Sequence, residues 1–128
     1  MIPVKYFRLT LDIYCMLEVP STGPLNFVAT SGNLAATSVI ISWDPPLLTH
    51  QNGFIIRYKI VYWLQQANIA ANRSTIVVLG NVTRYTVYNL IPSSNYSMQI
   101  AAATSVGFGP YYTPIFHLTS PAGTVINK

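Results

Sequence analysis

The sequence predicts an all-β protein, a seven-stranded antiparallel β-sandwich, and three observations lead to that prediction. Apolar residues alternate with polar ones over stretches of about five to eight residues, the period of a half-buried strand. Clusters of Gly, Pro, Asn and Ser separate these stretches, as turns separate the strands of a sandwich. Hydrophobic residues make up 51% of the 128 residues and charged residues 8%, so the chain can bury enough apolar surface to fold as one domain.

Seven strands and their turns follow in order along the chain. The predicted strands are 26–30, 38–43, 55–63, 76–79, 85–88, 96–104 and 112–118. Asp44-Pro45-Pro46 cannot continue a central strand, because proline has no N–H to donate to a neighbouring strand. Asn52-Gly53 tolerates the positive φ of a turn. Gly107-Phe108-Gly109-Pro110 predicts a loop between the last two strands, at one tip of the molecule.

The two-residue period of a strand assigns its side chains to faces. Three alternating sets, one from each of three strands, are expected to interleave as the core between two sheets. They are Val39, Ile41 and Trp43; Tyr58, Ile60 and Tyr62; and Tyr96, Met98, Ile100 and Ala102. The opposite faces carry polar side chains, which suit water.

The leading segment, residues 1–19, has its own pattern. From Phe7 to Val19 every second residue is apolar, which predicts one further strand without a partner inside the sandwich. Lys5 and Arg8 are among the charges that interrupt its apolar residues, so the segment predicts neither a membrane span nor a secretory signal. We interpret it as the end of a preceding module or an altered start of the chain.

Five landmarks then fall in the order and spacing of a fibronectin type III module, a sandwich with the immunoglobulin-like fold. They are Pro24 to Val28; Val39 to Trp43 followed by Pro45-Pro46; Asn52-Gly53 with Tyr58 to Tyr62; the corner Leu90-Ile91-Pro92-Ser93-Ser94-Asn95-Tyr96; and Ala102 to Gly109. The chain resembles this family over 20–121, with 122–128 as a tail. The resemblance, with the packing that large aromatic side chains provide, makes five residues structural: Trp43, Tyr58, Tyr62, Leu90 and Tyr96.

The stretch from Trp43 to Tyr62 is similar to modules of cell-surface adhesion and guidance receptors, of the netrin-receptor-like, sidekick-like and receptor tyrosine phosphatase kinds. That likeness implies a non-catalytic extracellular module of a larger membrane-anchored or secreted protein. Its partners would be neighbouring modules and cell-surface or matrix proteins, recognised in adhesion or signalling. Two alternatives stay open: a mechanical spacer without a ligand of its own, and an intracellular scaffold module.

Three N-glycosylation patterns favour a secreted context. They are Asn72-Arg73-Ser74, Asn81-Val82-Thr83 and Asn95-Tyr96-Ser97, and none has proline in its middle position. Asn72, Asn81 and Asn95 are therefore candidate acceptors of glycans. Each single pattern is also common by chance in a chain rich in Ser and Thr.

The ionisable residues argue against an enzyme, a metal site and a nucleic-acid site. The three acids are spread through separate loops and strands, which does not favour a catalytic group. His50 and His117 lie 67 positions apart, so the close pairs typical of zinc ligands are absent. Cys15 has no second cysteine to pair with and is expected to act as a small hydrophobe. The net charge of +4 comes from a shortage of acids and not from a basic stripe. We expect no cofactor and no bound nucleic acid.

Surface recognition remains, and two surfaces are candidates. The first is the sheet face with Arg57, Lys59, Trp63 and Gln99, where cations and an amphipathic aromatic could anchor a partner. The second is the predicted tip loop 106–112, whose aromatic residues are Phe108, Tyr111 and Tyr112. The alternatives are a solvated sheet face for the first and ordinary packing for the second.

Overall fold

The structure is a computed structural model that describes residues 5–8, 14–66 and 72–123. In this part of the chain ten strands and one short helix follow in order: β1 (Lys5–Arg8), β2 (Tyr14–Leu17), β3 (Leu25–Thr30), β4 (Val39–Asp44), α1 (Leu48–Gln51), β5 (Arg57–Leu64), β6 (Arg73–Leu79), β7 (Arg84–Val87), β8 (Asn95–Thr104), β9 (Gly107–Phe108) and β10 (Ile115–Leu118).

Two antiparallel sheets form a sandwich. The smaller has the strand order β3-β4-β7. The larger has the order β10-β8-β5-β6, with β9 paired to the end of β8, so β6 lies at one edge of this sheet. The predicted all-β antiparallel sandwich is confirmed. It contains eight strands, β3 to β10, because the short strand β9 forms where a loop is predicted.

The core lies between the two sheets and follows the predicted alternation. Along β4 the burial pattern alternates, so that Val39, Ile41 and Trp43 face inward. The ring of Trp43 meets the ring of Tyr58 edge to face, with 5.5 Å between the centroids. Tyr62 is only partly buried; it packs against the core at the end of β5, tilted 54° to the ring of Tyr96 at 6.5 Å. Edge-to-face pairs add about 0.5–1.5 kcal/mol to the burial of the rings.

The corner before β8 is fixed by a tyrosine hydroxyl. The ring of Tyr96 is buried in the core, and its hydroxyl accepts a hydrogen bond from the backbone N–H of Ile91, at 2.8 Å. Leu90 is buried beside it, and its N–H donates to the carbonyl of Thr37. The turn contains Ser93 at a φ of 52°. The hydroxyl therefore satisfies a backbone donor that the bend removes from any strand pairing.

The described residues of the leading segment, 5–8 and 14–19, include two strands and not the single strand that the alternation predicts. Lys5–Arg8 pairs antiparallel with Tyr14–Leu17, so the two strands supply each other's partner. Beyond β2 the chain joins the sandwich through hydrogen bonds. The hydroxyl of Thr104 donates to the carbonyl of Glu18 at 2.6 Å, and the side-chain amide of Asn52 donates to the carbonyl of Val19 at 3.1 Å. That residues 1–19 are the end of a preceding module or an altered start of the chain stays a prediction.

The predicted tip loop 106–112 is only partly a loop, because Gly107–Phe108 form β9 of the larger sheet. Phe108 pairs with Ala103 and Gly107 with Thr104 in β9. The N–H of Gly109 then donates to the carbonyl of Ala102 at 2.9 Å, and that of Tyr112 to the carbonyl of Ile100 at 2.7 Å. A Cβ at Gly109 would collide with the backbone of Pro20, so this position requires glycine. The segment therefore lies along β8.

Candidate protein-binding face

The candidate site is the outer face of the larger sheet, and strand register builds it. Arg57 lies opposite Leu79 of β6 on one side and Ala103 of β8 on the other, and Ala103 lies opposite Phe108 of β9. One row across the sheet thus reads Leu79, Arg57, Ala103, Phe108. The adjacent row holds Val77, Lys59 and Ala101. The alanines are small, which leaves room for the long cationic side chains to cross them.

The two predicted surfaces meet in one group, here termed the cationic–aromatic cluster: Arg57, Lys59, Phe108 and Tyr111. The Nζ atom of Lys59 lies 4.4 Å from the ring centroid of Phe108 and 5.4 Å from that of Tyr111. The Cζ atom of Arg57 lies 5.6 Å from the Phe108 centroid. Each such contact contributes about 0.5–1 kcal/mol at an exposed site. The rings therefore hold two cations in defined places.

The outer face lacks an acid of its own among the described residues. Asp44 ends β4 in the other sheet, where the side-chain amide of Asn26 donates to its Oδ2 atom at 2.7 Å. Glu18 follows β2, and its backbone is bonded to Thr104 and to Asn52. Neither carboxylate belongs to the strands that carry Arg57 and Lys59. The positive charge of the cluster is thus not balanced within the larger sheet.

A second cation–aromatic pair lies towards the other end of β5. The guanidinium carbon of Arg73 lies 3.8 Å from the ring centroid of Trp63, directly across from it in the register of β5 and β6. Sequence reasoning singled out Trp63 but missed Arg73, because the predicted strand began at residue 76. The longer β6, which begins at Arg73, brings the two side chains together.

Exposed apolar side chains surround these cations and were also missed. Val77 is 53% exposed and Leu79 is 68% exposed on β6, and Phe116 is 69% exposed on β10. Their alternation with inward residues is visible in the sequence, but the sequence does not show how far each one stays exposed in the fold. A face of cations and exposed apolar groups is suited to protein contact.

Tyr112 does not join the cluster, in contrast to its prediction as a binding residue. It is half-buried and packs against the core, with its ring edge to face against Phe27 at a centroid distance of 6.2 Å. Tyr111 and Tyr112 are successive residues of an extended segment, so their side chains point to opposite sides of the sheet. Tyr112 links the two sheets, and Tyr111 faces outward.

All three glycan acceptors are exposed. Asn72 and Asn81 lie just before and just after β6, and Asn95 begins β8, at the opposite end of that strand from the cluster. The hydroxyl of the neighbouring Ser97 is buried and donates to the side-chain oxygen of Gln65 at 2.7 Å. None of the three acceptors lies within the cluster itself.

The histidines lie apart from this face and from each other. The Nδ1 atom of His50, in α1, lies 3.2 Å from the Ser21 hydroxyl. The Nε2 atom of His117 is buried without a hydrogen-bond partner, and that burial lowers the pKa of the ring below its usual value. Across the described ranges, no three His, Cys, Asp or Glu side chains come together as metal ligands would.

An open groove of about 520 Å³ lies on the outer side of the smaller sheet. Arg84, Ile40 and Tyr88 are among its lining residues. Its walls mix polar and apolar groups, and it lies on the opposite sheet from the cluster. Among the helices in the described part of the chain, none is long and apolar enough to cross a membrane.

Comparison with known sequences gives one family and several relatives. The model of the fibronectin type III domain matches residues 22–117. The chain is 36% identical to Roundabout homolog 2 of Homo sapiens over 72% of its length. It is 32% identical to receptor-type tyrosine-protein phosphatase F of Mus musculus over 87%, and 34% identical to protein sidekick-2 of Mus musculus over 80%. The matched part is 5–6% of the length of these relatives.

Solved structures show the same architecture. The fifth FN domain of Drosophila Lar superposes with a TM-score of 0.64 at 30% identity, covering 82% of this chain and all of that one. The third fibronectin III domain of a human protein gives a TM-score of 0.73 at 22% identity, over 86% of this chain and 90% of that domain. The fn3 domain of human contactin 1 gives 0.65 at 24% identity, with 87% of each chain covered.

Proposed function

Because this chain belongs to the fibronectin type III family, we propose that it is a non-catalytic extracellular module that recognises a protein partner through the outer face of its larger sheet. The module would be part of a membrane-anchored or secreted protein that acts in adhesion or signalling. The observation that carries the proposal is the cationic–aromatic cluster, where Lys59 lies over both Phe108 and Tyr111 and no acid of the same sheet balances it.

The composition of the face supports a protein partner. Aromatic residues and arginine are the residues that most often dominate binding energy at protein interfaces. Here they are set beside exposed Val77 and Leu79, which would lose contact with water when a partner is bound. The relatives include two proteins named as receptor-type phosphatase and roundabout, in which the matched segment is a small part of a long chain.

The direct test is binding to intact cells. We would secrete the chain as a dimeric fusion and measure binding by flow cytometry, before and after trypsin removes surface proteins. Phe108→Ala with Tyr111→Ala should lower trypsin-sensitive binding at least about fivefold, because aromatic anchors often cost more than 1 kcal/mol on truncation. Phe54→Ala with Tyr88→Ala is the matched control, since both of these rings are exposed outside the cluster.

The spacer alternative gives the opposite outcome. If the variant with both cluster aromatics removed binds as the control does, while both retain the melting temperature of the unaltered chain, the module has no ligand at this face. Binding that persists after trypsin would also contradict a protein ligand.

The extracellular location rests on the three acceptor asparagines. Exposure of Asn72, Asn81 and Asn95 allows glycans to be accommodated on the folded module. The chain expressed behind a signal peptide in a mammalian secretory host should lose mass on treatment with peptide N-glycosidase. Single Asn→Gln variants would assign the occupied positions. A secreted chain without any glycan would favour the intracellular scaffold alternative.

A further inference from the structure

Both cations of the cationic–aromatic cluster lie against the same aromatic ring. Phe108 carries Lys59 at 4.4 Å on its face and Arg57 at 5.6 Å from its centroid. Two like charges held on the same ring repel each other, and no carboxylate of the larger sheet lies between them. An anion that arrives at this position would relieve the repulsion and gain two partners at once. The cluster is therefore prepared for negative charge.

The two cations also have a fixed spacing. Arg57 and Lys59 are alternate residues of β5 and point to the same side, so their backbone positions are about 7 Å apart. Alternate residues of any extended chain have the same separation. A partner segment lying along β5 could thus place one carboxylate over each cation without bending. Adjacent carboxylates would point to opposite sides of such a segment, and only one of them would reach the face.

Apolar neighbours determine what kind of anion fits. Each cation lies directly opposite an exposed aliphatic residue of β6, Leu79 for Arg57 and Val77 for Lys59. A polypeptide covering the cations brings its own apolar atoms over these residues and over Phe108. A sulfated polysaccharide would leave them facing a strongly hydrated chain, so the apolar neighbours favour a protein.

We propose that the cationic–aromatic cluster binds an extended acidic segment of a partner protein, with carboxylates at alternate residues set over Arg57 and Lys59. The inference rests on the proposed function and names the partner's chemistry. A second copy of this chain does not supply that chemistry. The chain has three acidic residues in all, Asp12, Glu18 and Asp44, and they are widely separated in sequence.

The test uses two peptides of equal composition. Acetyl-Thr-Glu-Val-Glu-Thr-amide has its carboxylates at alternate residues, and acetyl-Thr-Glu-Glu-Val-Thr-amide has them adjacent. We would titrate each into isotopically labelled protein at low ionic strength and follow backbone and methyl NMR signals. The first peptide should shift signals of Arg57 to Lys59, Phe108, Val77 and Leu79 with a dissociation constant in the millimolar range. The second peptide should bind at least about threefold more weakly than the first.

Charge variants separate this inference from general electrostatics. Arg57→Gln with Lys59→Met should weaken binding of the first peptide about fivefold, the effect of losing two exposed ion pairs. Arg84→Gln removes an exposed cation from the other sheet and should change binding less than about twofold. Raising the salt concentration to about 0.5 M should weaken binding of the first peptide, because the charges are then screened.

Several outcomes would overturn the inference. They are equal binding of the two peptides, equal effects of the two charge variants, and absence of NMR signal shifts at about 10 mM of either peptide. A heparin hexasaccharide that binds while the peptides do not would replace the protein segment with a polysaccharide. The cell-binding measurement distinguishes the two proposals. If Phe108→Ala with Tyr111→Ala lowers binding and Arg57→Gln with Lys59→Met does not, the face recognises a protein by other chemistry. If neither variant lowers binding, the proposed function fails as well.

Discussion

Two buried tyrosines allow one chemical change to be tested in opposite environments. The hydroxyl of Tyr96 accepts a hydrogen bond from Ile91, whereas the hydroxyl of Tyr58 is buried without a partner in the described structure. Tyr96→Phe should lower the free energy of unfolding by about 1–2 kcal/mol, because a backbone N–H loses its acceptor. Tyr58→Phe should leave it unchanged or raise it by up to about 1 kcal/mol, because the lost hydroxyl satisfied nothing.

Urea denaturation at pH 7, followed by tryptophan fluorescence, measures both values under the same conditions. A second reading comes from alkaline pH. Burial, and then the nearby Asp44 charge, raise the pKa of Tyr58 above its usual value of 10.0. The folded state therefore holds this proton more tightly than the unfolded state does. The stability that results is present below about pH 10 and is lost as the pH rises further.

As the pH rises from about 9 to about 11, a range that brackets the usual tyrosine pKa, the Tyr58→Phe variant should therefore lose less stability than the unaltered chain. Destabilisation by Tyr58→Phe as large as that by Tyr96→Phe at pH 7 would contradict this expectation. In that case the Tyr58 hydroxyl has a partner, such as a buried water, and the difference between the two sites is not one of hydrogen bonding.

Three further predictions concern single positions. Burial lowers the pKa of His117, so the folded state favours the neutral ring. The stability from this residue is therefore present above the unfolded pKa of about 6.5 and is lost as the pH falls. His117→Gln should flatten the dependence of unfolding free energy on pH between about pH 5 and 7, measured by urea denaturation. Gly80→Ala should cost about 2–3 kcal/mol, because a Cβ would collide with the backbone carbonyl of Ile55. Gly32→Ala should cost under about 1 kcal/mol, because its nearest contact would be the flexible Ile40 side chain at 3.1 Å; equal costs would contradict this. Thr104→Val keeps the shape of the side chain but removes its bond to Glu18 and should cost about 1–2 kcal/mol, and an unchanged stability would mean that water replaces the bond.

The core of the fold could be predicted from the sequence because it depends on local period and on large side chains. Val39, Ile41 and Trp43 alternate with polar residues, and that alternation is what buries them. The resemblance to the fibronectin type III family, with its sidekick-like and receptor tyrosine phosphatase modules, is confirmed by the family match and by relatives of those two kinds. The corner at Tyr96 could be predicted from the Leu90 to Tyr96 motif of that family.

Pairing between distant segments could not be predicted in the same way. Alternation continues unbroken from Phe7 to Val19, without the Gly, Pro or Asn that would mark a turn, and so the pattern did not separate β1 from β2. The glycines of 107–110 predicted a loop, because glycine is typical of turns. The pairing of β9 with β8 has no signal in the sequence. Phe108 and Lys59 therefore appeared on two separate surfaces. Only the register places them in contact.

The position of β6 has a consequence for preparing the protein. An edge strand with exposed Val77 and Leu79 offers free backbone groups and aliphatic side chains to any other chain, which is the usual route to edge-to-edge aggregation. Arg73 at its start is the one charge within the strand that opposes this. The acceptors Asn72 and Asn81 lie at its two ends, so glycans there would sterically block the approach of a second strand. Material from a bacterial host would lack them and should precipitate at lower concentration than material from a secretory one.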